Sequence, residues 1–311
     1  MKVSVTQAAE ILLQGHPVGV PTETVYGLAA PLLHEEAIRK IFALKKRPQD
    51  NPLIVHVADI EQIRNLTTDF PEKFELLAKT FWPGPLTLVI PCIPEKIPTT
   101  VRAGLSTVAF RIPNHPEVLK LLALTGPLVM PSANLSGKPS STKAEHVEHD
   151  FGENFPVIDG GNSNFGLEST ILIFLDNKWH MGRLGTIPAE NFQEYLGYTP
   201  MVVAKQSGAG PLCPGQNYRH YAPLATMYLE KNIPENCCNI LGFKERNYPK
   251  TMRVFLLGSL DEPESVAAGL YNLLRTLDSE GINDVGVDMD FPDVGLWKSI
   301  RERLKKAADQ K

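Results

Sequence analysis

The sequence predicts an α/β protein in two parts, a large twisted sheet of mixed to mostly parallel strands with flanking helices, followed by a smaller α/β module. Three observations carry this. Short β-rich runs alternate with helix-period stripes, punctuated by proline and glycine, through the first two thirds of the chain. Between Lys205 and Pro223 the composition turns to KQSGAGPLCPGQNYRHYAP, without an apolar period, which reads as a linker. Strand and helix patterns then resume. The expected division is a domain over 1–203, a linker over 204–223 and a small domain over 224–311.

Element by element, the first nineteen residues show an amphipathic rhythm broken by Gln7, Glu10, Gln14 and His16, not the apolar core and cleavage site of a signal peptide. Residues 18–20 read as a buried strand. Ala37, Ile38, Ile41, Phe42 and Leu44 make a helical stripe that ends before Lys45. Strands are expected at 53–57, 86–90, 108–111, 128–130, 157–158 and 170–174, with a helix at 74–81 broken by Pro83, Gly84 and Pro85. Beyond the linker, strands are expected at 226–229, 238–241, 254–257 and 284–287, and helices at 266–277 and 296–308. No apolar run approaches the roughly 18 residues of a membrane span.

With 43% hydrophobic and 21% charged residues, the chain has the proportions of a folded globular protein, not of a disordered or collagen-like one. The net charge of −4 divides evenly between the two parts, so tight binding of long nucleic acid through its phosphates is disfavoured. The cysteines Cys92, Cys213, Cys237 and Cys238 form no zinc spacing or disulfide framework, which leads us to expect a reducing cytoplasm. There is no phosphate loop of the G-x-x-x-x-G-K-[ST] type, and Gly208-Ala209-Gly210 lacks the setting of a dinucleotide fingerprint.

What remains are polar clusters at strand ends, where open α/β sheets place ligands. Residues 21–30, PTETVYGLAA, read equally as a ligand loop containing Thr22 or as a turn with a helix N-cap. Lys45 and Arg47 could neutralise a triphosphate, although taken alone they suit a solvated helix end, where the dipole favours cations. Asn51 opens the strand that ends in His56, which alone reads more simply as a satisfied, half-buried histidine. Arg111, after Thr107 on an alternating strand, needs an anionic partner; Glu23 or Glu168 could supply it. Ser132, Asn134 and Ser140 offer groups suited to phosphate or ribose, or to a plain turn. Ser169 and Arg183 sit in glycine-flanked segments that could face a ligand. The run Glu145 to His149 lacks metal-ligand spacing and reads as a solvated acidic helix face.

In order, PTETVYGL, KKRP with DNPLIVH, WPGPLT, VAFRIPNHP, PSANLSG, IDGG and GLESTI resemble the YrdC-type family of L-threonylcarbamoyladenylate synthases over about 1–190. CPGQNYRHYAP and the C-terminal FPDVGLWKSIRERLKKAAD extend the resemblance to the family's longer, two-domain branch. It implies a YrdC-like first domain, a Rossmann-like second one, and an enzyme that joins L-threonine, bicarbonate or CO2, and ATP into threonylcarbamoyl-AMP with release of pyrophosphate. Mg²⁺ is expected with the ATP phosphates, without an organic cofactor. The product is expected to pass to a separate tRNA threonylcarbamoyl transferase, with at most weak contact to tRNA and no membrane.

The family's K-x-R and S-x-N elements fall on Lys45 and Arg47, the expected catalytic pair, and on Ser132 and Asn134, all placed around ATP. Asn51, Thr107, Ser140, Arg183 and Tyr218 match further ATP positions, and Thr22, His56, Arg111 and Ser169 match positions that hold threonine. The linker resembles a lid, bringing Tyr218, Arg219 and His220 to the nucleotide. Gln216, Asn217 and Leu184 depart from the family pattern. The alternative from another class is an RNA-binding module on the same domain.

Overall fold

The computed structural model describes residues 1–203, 211–214, 220–229 and 232–309. The first helix, α1 (Val5–Leu13), starts at a capping box in which Ser4 and Gln7 satisfy each other's backbone N–H groups. The chain continues through β1 (Val18–Val20), β2 (Gly27–Pro31), α2 (Glu35–Lys45), β3 (Ile54–His56), α3 (Ile60–Arg64) and α4 (Phe74–Phe81). Then come β4 (Leu86–Pro91), α5 (Thr99–Arg102), β5 (Thr107–Arg111), α6 (Pro116–Thr125), β6 (Leu128–Val129) and α7 (Ala144–Phe151). The first unit closes with β7 (Thr170–Leu175), β8 (Lys178–Arg183) and α8 (Gln193–Leu196).

These eight strands form one sheet in the order β1-β2-β6-β3-β5-β4-β7-β8. Parallel pairing is confined to β3 with β5 and β4 with β7; every other neighbour runs antiparallel. The sheet is therefore mixed, within the fold class the sequence predicts. Strands β1 and β6, and β4 up to Ile90, are buried on both faces and read as continuous apolar runs, which hide strand direction. One core packs Leu28, Val55, Leu88 and Phe110 against α2 and α4. Another packs α1 and α6 against β1 and β6. Each fully buried Leu, Ile or Phe is worth roughly 1.5–3 kcal/mol.

Three expectations change. Residues 157–158 form only isolated bridges from Val157 to Lys2 and Gly19, not a strand. The segment after residue 21 keeps its turn, capped by Thr22, but its latter half is the strand β2, where Gly27 passes Met130 so closely that a Cβ there would lie 2.9 Å from the methionine Cβ. The acidic run is the helix α7, yet His146 turns inward, its Nδ1 accepting from the Thr142 N–H at 3.2 Å.

The second unit is a four-stranded, wholly parallel sheet in the order β11-β10-β12-β9, from β9 (Thr226–Leu229), β10 (Asn239–Phe243), β11 (Arg253–Gly258) and β12 (Asp284–Val287). It carries α9 (Pro263–Ser279) and α10 (Leu296–Ala308). Its core takes in Val25 and Leu167 of the first unit, so the two are packed as one body at this seam. Gly166 marks a close approach: its φ is +67°, and a Cβ would lie 2.5 Å from the Ala268 Cα in α9. Among the described residues no helix is long and apolar enough to cross a membrane.

Candidate active site

A cleft of about 800 Å³, its open mouth included, crosses one face of the large sheet. Ile54, Val89, Ala109, Ile171 and Ile173 form an apolar patch on the sheet, and Cys213 from the linker packs onto it. Burial pushes the Cys213 thiol up to about 12, so it stays protonated and inert. Pro214, His220 and Tyr221 also line the cleft, which places these described parts of the linker over the site.

One end is built by strand register. Parallel pairing of β3 with β5 sets His56 beside Arg111. Arg111 is buried, donating from Nε to the Gly84 carbonyl at 3.2 Å and from Nη1 to Thr24 Oγ1 at 3.0 Å, with Nη2 2.7 Å from Glu23 Oε1. Of the two carboxylates that could balance the strand arginine, the structure selects Glu23. Burial, and then the Arg111 charge, push the His56 imidazole well below its ordinary value, so it is neutral at physiological pH. Thr22 caps its own turn: its Oγ1 donates to the Val25 carbonyl at 2.6 Å and accepts from the Val25 N–H at 3.2 Å. Ser169 lies just before β7, its Oγ 2.7 Å from Thr87 Oγ1, and accepts from Arg183 Nη2 at 3.1 Å.

The other end is the loop after β6. The α2 stripe turns Lys45 inward, and its ammonium donates to the carbonyls of Ser132 and Asn134, while the Ser136 N–H donates to the Lys45 carbonyl at 2.9 Å. Burial, and then neighbouring Arg47, lower the Lys45 pKa well below its ordinary value. Arg47 donates to the Asn51 and Pro52 carbonyls at 3.2 and 2.9 Å. Asn134 Nδ2 donates to the Leu135 and Lys138 carbonyls, whereas its buried Oδ1 has no hydrogen-bond partner among the described residues. That orphaned acceptor fits a ribose hydroxyl or an adenine amino group.

Glu168 joins the two ends. Burial works against its charge, but Arg303 and Arg183, with hydrogen bonds from Ser140 and Tyr271, outweigh it and hold the carboxyl down at about 2. Among the described residues no three His, Cys, Asp or Glu side chains could hold a metal, and Glu168 is already fully engaged.

Of the expected residues, Thr22, His56, Arg111, Ser169 and Arg183 line the cleft. So do Lys45, Arg47, Ser132, Asn134 and Ser140. Asn51 is buried next to lining residue Pro52, its side chain outside the lining. Thr107 lies at the far end of β5, four residues or about 13 Å from Arg111, and takes no part in the lining. Tyr218, with Gln216, Asn217 and Arg219, lies outside the described residues. Sequence reasoning missed Thr24 and Thr87, whose hydroxyls hold Arg111 and Ser169. Both stood in quoted segments, but nothing in a lone threonine on a strand or turn marked its partner.

Residues 10–185 match the Sua5/YciO/YrdC family model, described as telomere recombination, and residues 187–309 match the model of the threonylcarbamoyl-AMP synthase C-terminal domain. A threonylcarbamoyl-AMP synthase of Bacillus subtilis (strain 168) is 41% identical over 98% of this chain and 92% of its own length. One from Pyrococcus abyssi (strain GE5 / Orsay) is 40% identical over 97% and 93%. The crystal structure of P. abyssi Sua5 complexed with L-threonine superposes with a TM-score of 0.89 at 37% identity, covering 98% of this chain and 94% of that one.

Proposed function

Because this chain belongs to the Sua5/YciO/YrdC family, carries its synthase C-terminal domain and is accordingly an enzyme of the threonylcarbamoyl-AMP synthase kind, we propose that it condenses L-threonine, bicarbonate or CO2, and ATP into L-threonylcarbamoyl-AMP. Pyrophosphate leaves, and a separate transferase carries the threonylcarbamoyl group to a tRNA adenosine. The four free cysteines suit a reducing cytoplasm.

The observation that carries this reading is the pairing within one cleft of a buried arginine, Arg111, beside neutral His56 with a cation-backed loop at Lys45, Arg47, Ser132 and Asn134. The relative of known structure holds L-threonine. A guanidinium has five N–H donors; Arg111 directs one at Gly84 and one at Thr24, and Nη2, though 2.7 Å from Glu23, makes no hydrogen bond among the described residues, which leaves donors on both Nη atoms for a substrate carboxylate. Neutral His56 and Thr22 are the groups for the threonine hydroxyl, and Ser169 closes that side. A site that hydrogen-bonds a hydroxyl rejects valine more strongly than a pocket for one methyl rejects serine.

Threonine's amine and bicarbonate give a carbamate and water; a carbamate oxygen attacks the ATP α-phosphorus in line, and the bond to the β-phosphate oxygen breaks to release pyrophosphate. No side chain forms a covalent bond in this scheme. The protein contributes alignment, worth roughly 7–11 kcal/mol for well-placed reactants, with Lys45 bracing the Ser132 and Asn134 carbonyls and the positive charge of Arg47 at the phosphate end. The test is pyrophosphate release with MgATP and bicarbonate, comparing threonine, serine, valine and no amino acid. Release that requires both threonine and bicarbonate, with a product of the mass of threonylcarbamoyl-AMP, is expected. Arg47→Ala is expected to abolish release, by about a hundredfold or more, in a chain that still folds. A folded wild type that binds ATP without threonine-dependent turnover would overturn the reading in favour of a binding module.

A further inference from the structure

We propose that the C-terminal domain is part of the nucleotide site: Arg303 and Tyr271, acting through Glu168, and Arg275, acting through Asp150, hold the loop of residues 132–141 in the shape that receives ATP. The inference rests on the synthase reading for the identity of the nucleotide, and it assigns the second domain a positioning role in that reaction.

The loop is gripped from both sides. From the first domain, Lys45 fixes the carbonyls of Ser132 and Asn134. From the second, the contacts converge on the residues around Ser140. Ser140 Oγ donates to Glu168 Oε1 at 2.6 Å, while Glu168 Oε2 accepts from the Tyr271 hydroxyl at 2.8 Å and from Arg303 Nε at 3.0 Å. Arg303 is wholly buried and reaches on to the Leu184 carbonyl at 2.8 Å. Tyr271 comes from α9 and Arg303 from α10, so the carboxylate that orients Ser140 has its hydrogen-bonded cation and its phenol donor in the other domain, beside Arg183 of its own.

Arg275 on α9 makes the second grip. Its Nη1 and Nη2 take Asp150 Oδ1 and Oδ2 at 3.1 and 2.8 Å, and Nη2 also donates to the Pro139 carbonyl at 2.7 Å, flanking Ser140. Asp150 Oδ2 in turn accepts the Leu135 N–H at 3.1 Å, directly after Asn134. A further strut runs from the end of the linker, where the Ala222 N–H donates to the Gly137 carbonyl at 2.8 Å.

A buried carboxylate without its cation either takes up a proton or draws in water. Either change deprives Ser140 Oγ of a charged acceptor and frees the hydroxyl to turn away from the cleft. None of the second domain's hydrogen bonds described here reaches Arg111, His56 or Thr22, whose partners all belong to the first domain. Ser169, directly after Glu168, is the threonine-side residue that adjoins this network, so the larger effect falls on the nucleotide and the smaller on threonine.

The test measures ATP and threonine affinities separately, by calorimetry on full-length wild type, R303M, R303K and Y271F, with pyrophosphate release scored alongside. R303M is expected to weaken ATP binding about tenfold and Y271F about threefold, with threonine affinity within about twofold of wild type. R303K, which keeps the charge without the planar fork, is expected to recover part of the loss. Unchanged ATP affinity in R303M and Y271F would overturn the inference, as would a parallel loss for ATP and threonine, the mark of a merely loosened pocket. Should R303M fail to fold, Y271F and R303K decide by the same two criteria. Wild-type turnover is judged independently: its absence overturns the synthase reading, while the ATP affinities of the variants still decide this inference.

Discussion

Two buried arginine–carboxylate pairs flank the cleft, and they differ in where their halves come from. Arg111 and Glu23 both belong to the first domain, 2.7 Å apart, with Thr24 and Gly84 completing the guanidinium's partners. Arg303 and Glu168, 3.0 Å apart, lie 135 residues apart in sequence and in different domains. Either pair costs several kcal/mol per ion in lost hydration, recovered only while both partners stay in place. The Arg111 pair thus draws its hydrogen bonds from one domain alone, whereas the Glu168 pair depends on a second domain staying docked. On the functions proposed above, a protein of this build can make nucleotide binding more dependent on domain contact than amino-acid binding.

The most severe way to break the comparison is at Arg111. Arg111→Met leaves Glu23 charged, buried and unpaired, and is expected to cost about 3–5 kcal/mol in denaturant unfolding and to remove threonine-dependent pyrophosphate release. Adding Glu23→Gln removes the stranded charge, so the double variant is expected to recover most of the stability while turnover stays absent. Recovered turnover in the double variant would show that Arg111 serves only to balance Glu23, and the threonine pocket would have to be sought elsewhere.

A milder change sharpens the other side. Arg275→Met takes away the bidentate partner of Asp150, whose side chain is wholly buried, along with the donor to Pro139. The expected cost is about 2–3 kcal/mol of stability, with a fall in ATP affinity of about threefold and none for threonine. Asp150→Asn combined with Arg275→Met should show a coupling energy of about 1 kcal/mol or more, because the two act as one unit. Additive effects would mean that the two residues support the loop separately, and the second grip on it would be lost.

How far the sequence foretold this contrast follows from the same physics. The first-domain site was legible because its residues sit at strand ends in compact spacings: Lys45 with Arg47, Ser132 with Asn134, and Arg111 alternating with apolar neighbours. Most strands and helices were legible for the same reason, since local period and turn residues set them. Strand direction was not, because β3, β4 and β6 are buried on both faces and carry no alternation to orient them. That Thr107 stands outside the cleft lining was not legible, because alternation along β5 gives the face but not how far along it the cleft extends. The second-domain contribution was missed although a signal existed. Arg303 shares the helical spacing of Ile300, Leu304 and Ala307, so an arginine stood on the apolar stripe of α10, as Tyr271 stood among Ala267, Leu270 and Leu274 on α9. A cation on a buried stripe demands an anion from elsewhere in the fold; only the folded chain shows that the anion is Glu168.

The smallest expected effect tests whether the seam is held at its centre or at its rim. Lys298 on α10 bridges to Glu190 of the first domain at 2.6 Å, so it too is an ion pair across the two domains, but both side chains are well exposed, at 39% and 46%. In water the attraction between such groups is offset by hydration and by the rotamer freedom that two long side chains give up, and salt screens what remains. Lys298→Ala is therefore expected to leave melting temperature, ATP affinity and threonine affinity indistinguishable from wild type, at low salt and at high. Arg303 spans the same seam from the same helix, and the difference between the two variants isolates burial as the cause. A loss of ATP affinity in Lys298→Ala approaching that of R303M would mean that general docking of α10, and not the buried network through Glu168 and Ser140, sets the nucleotide loop.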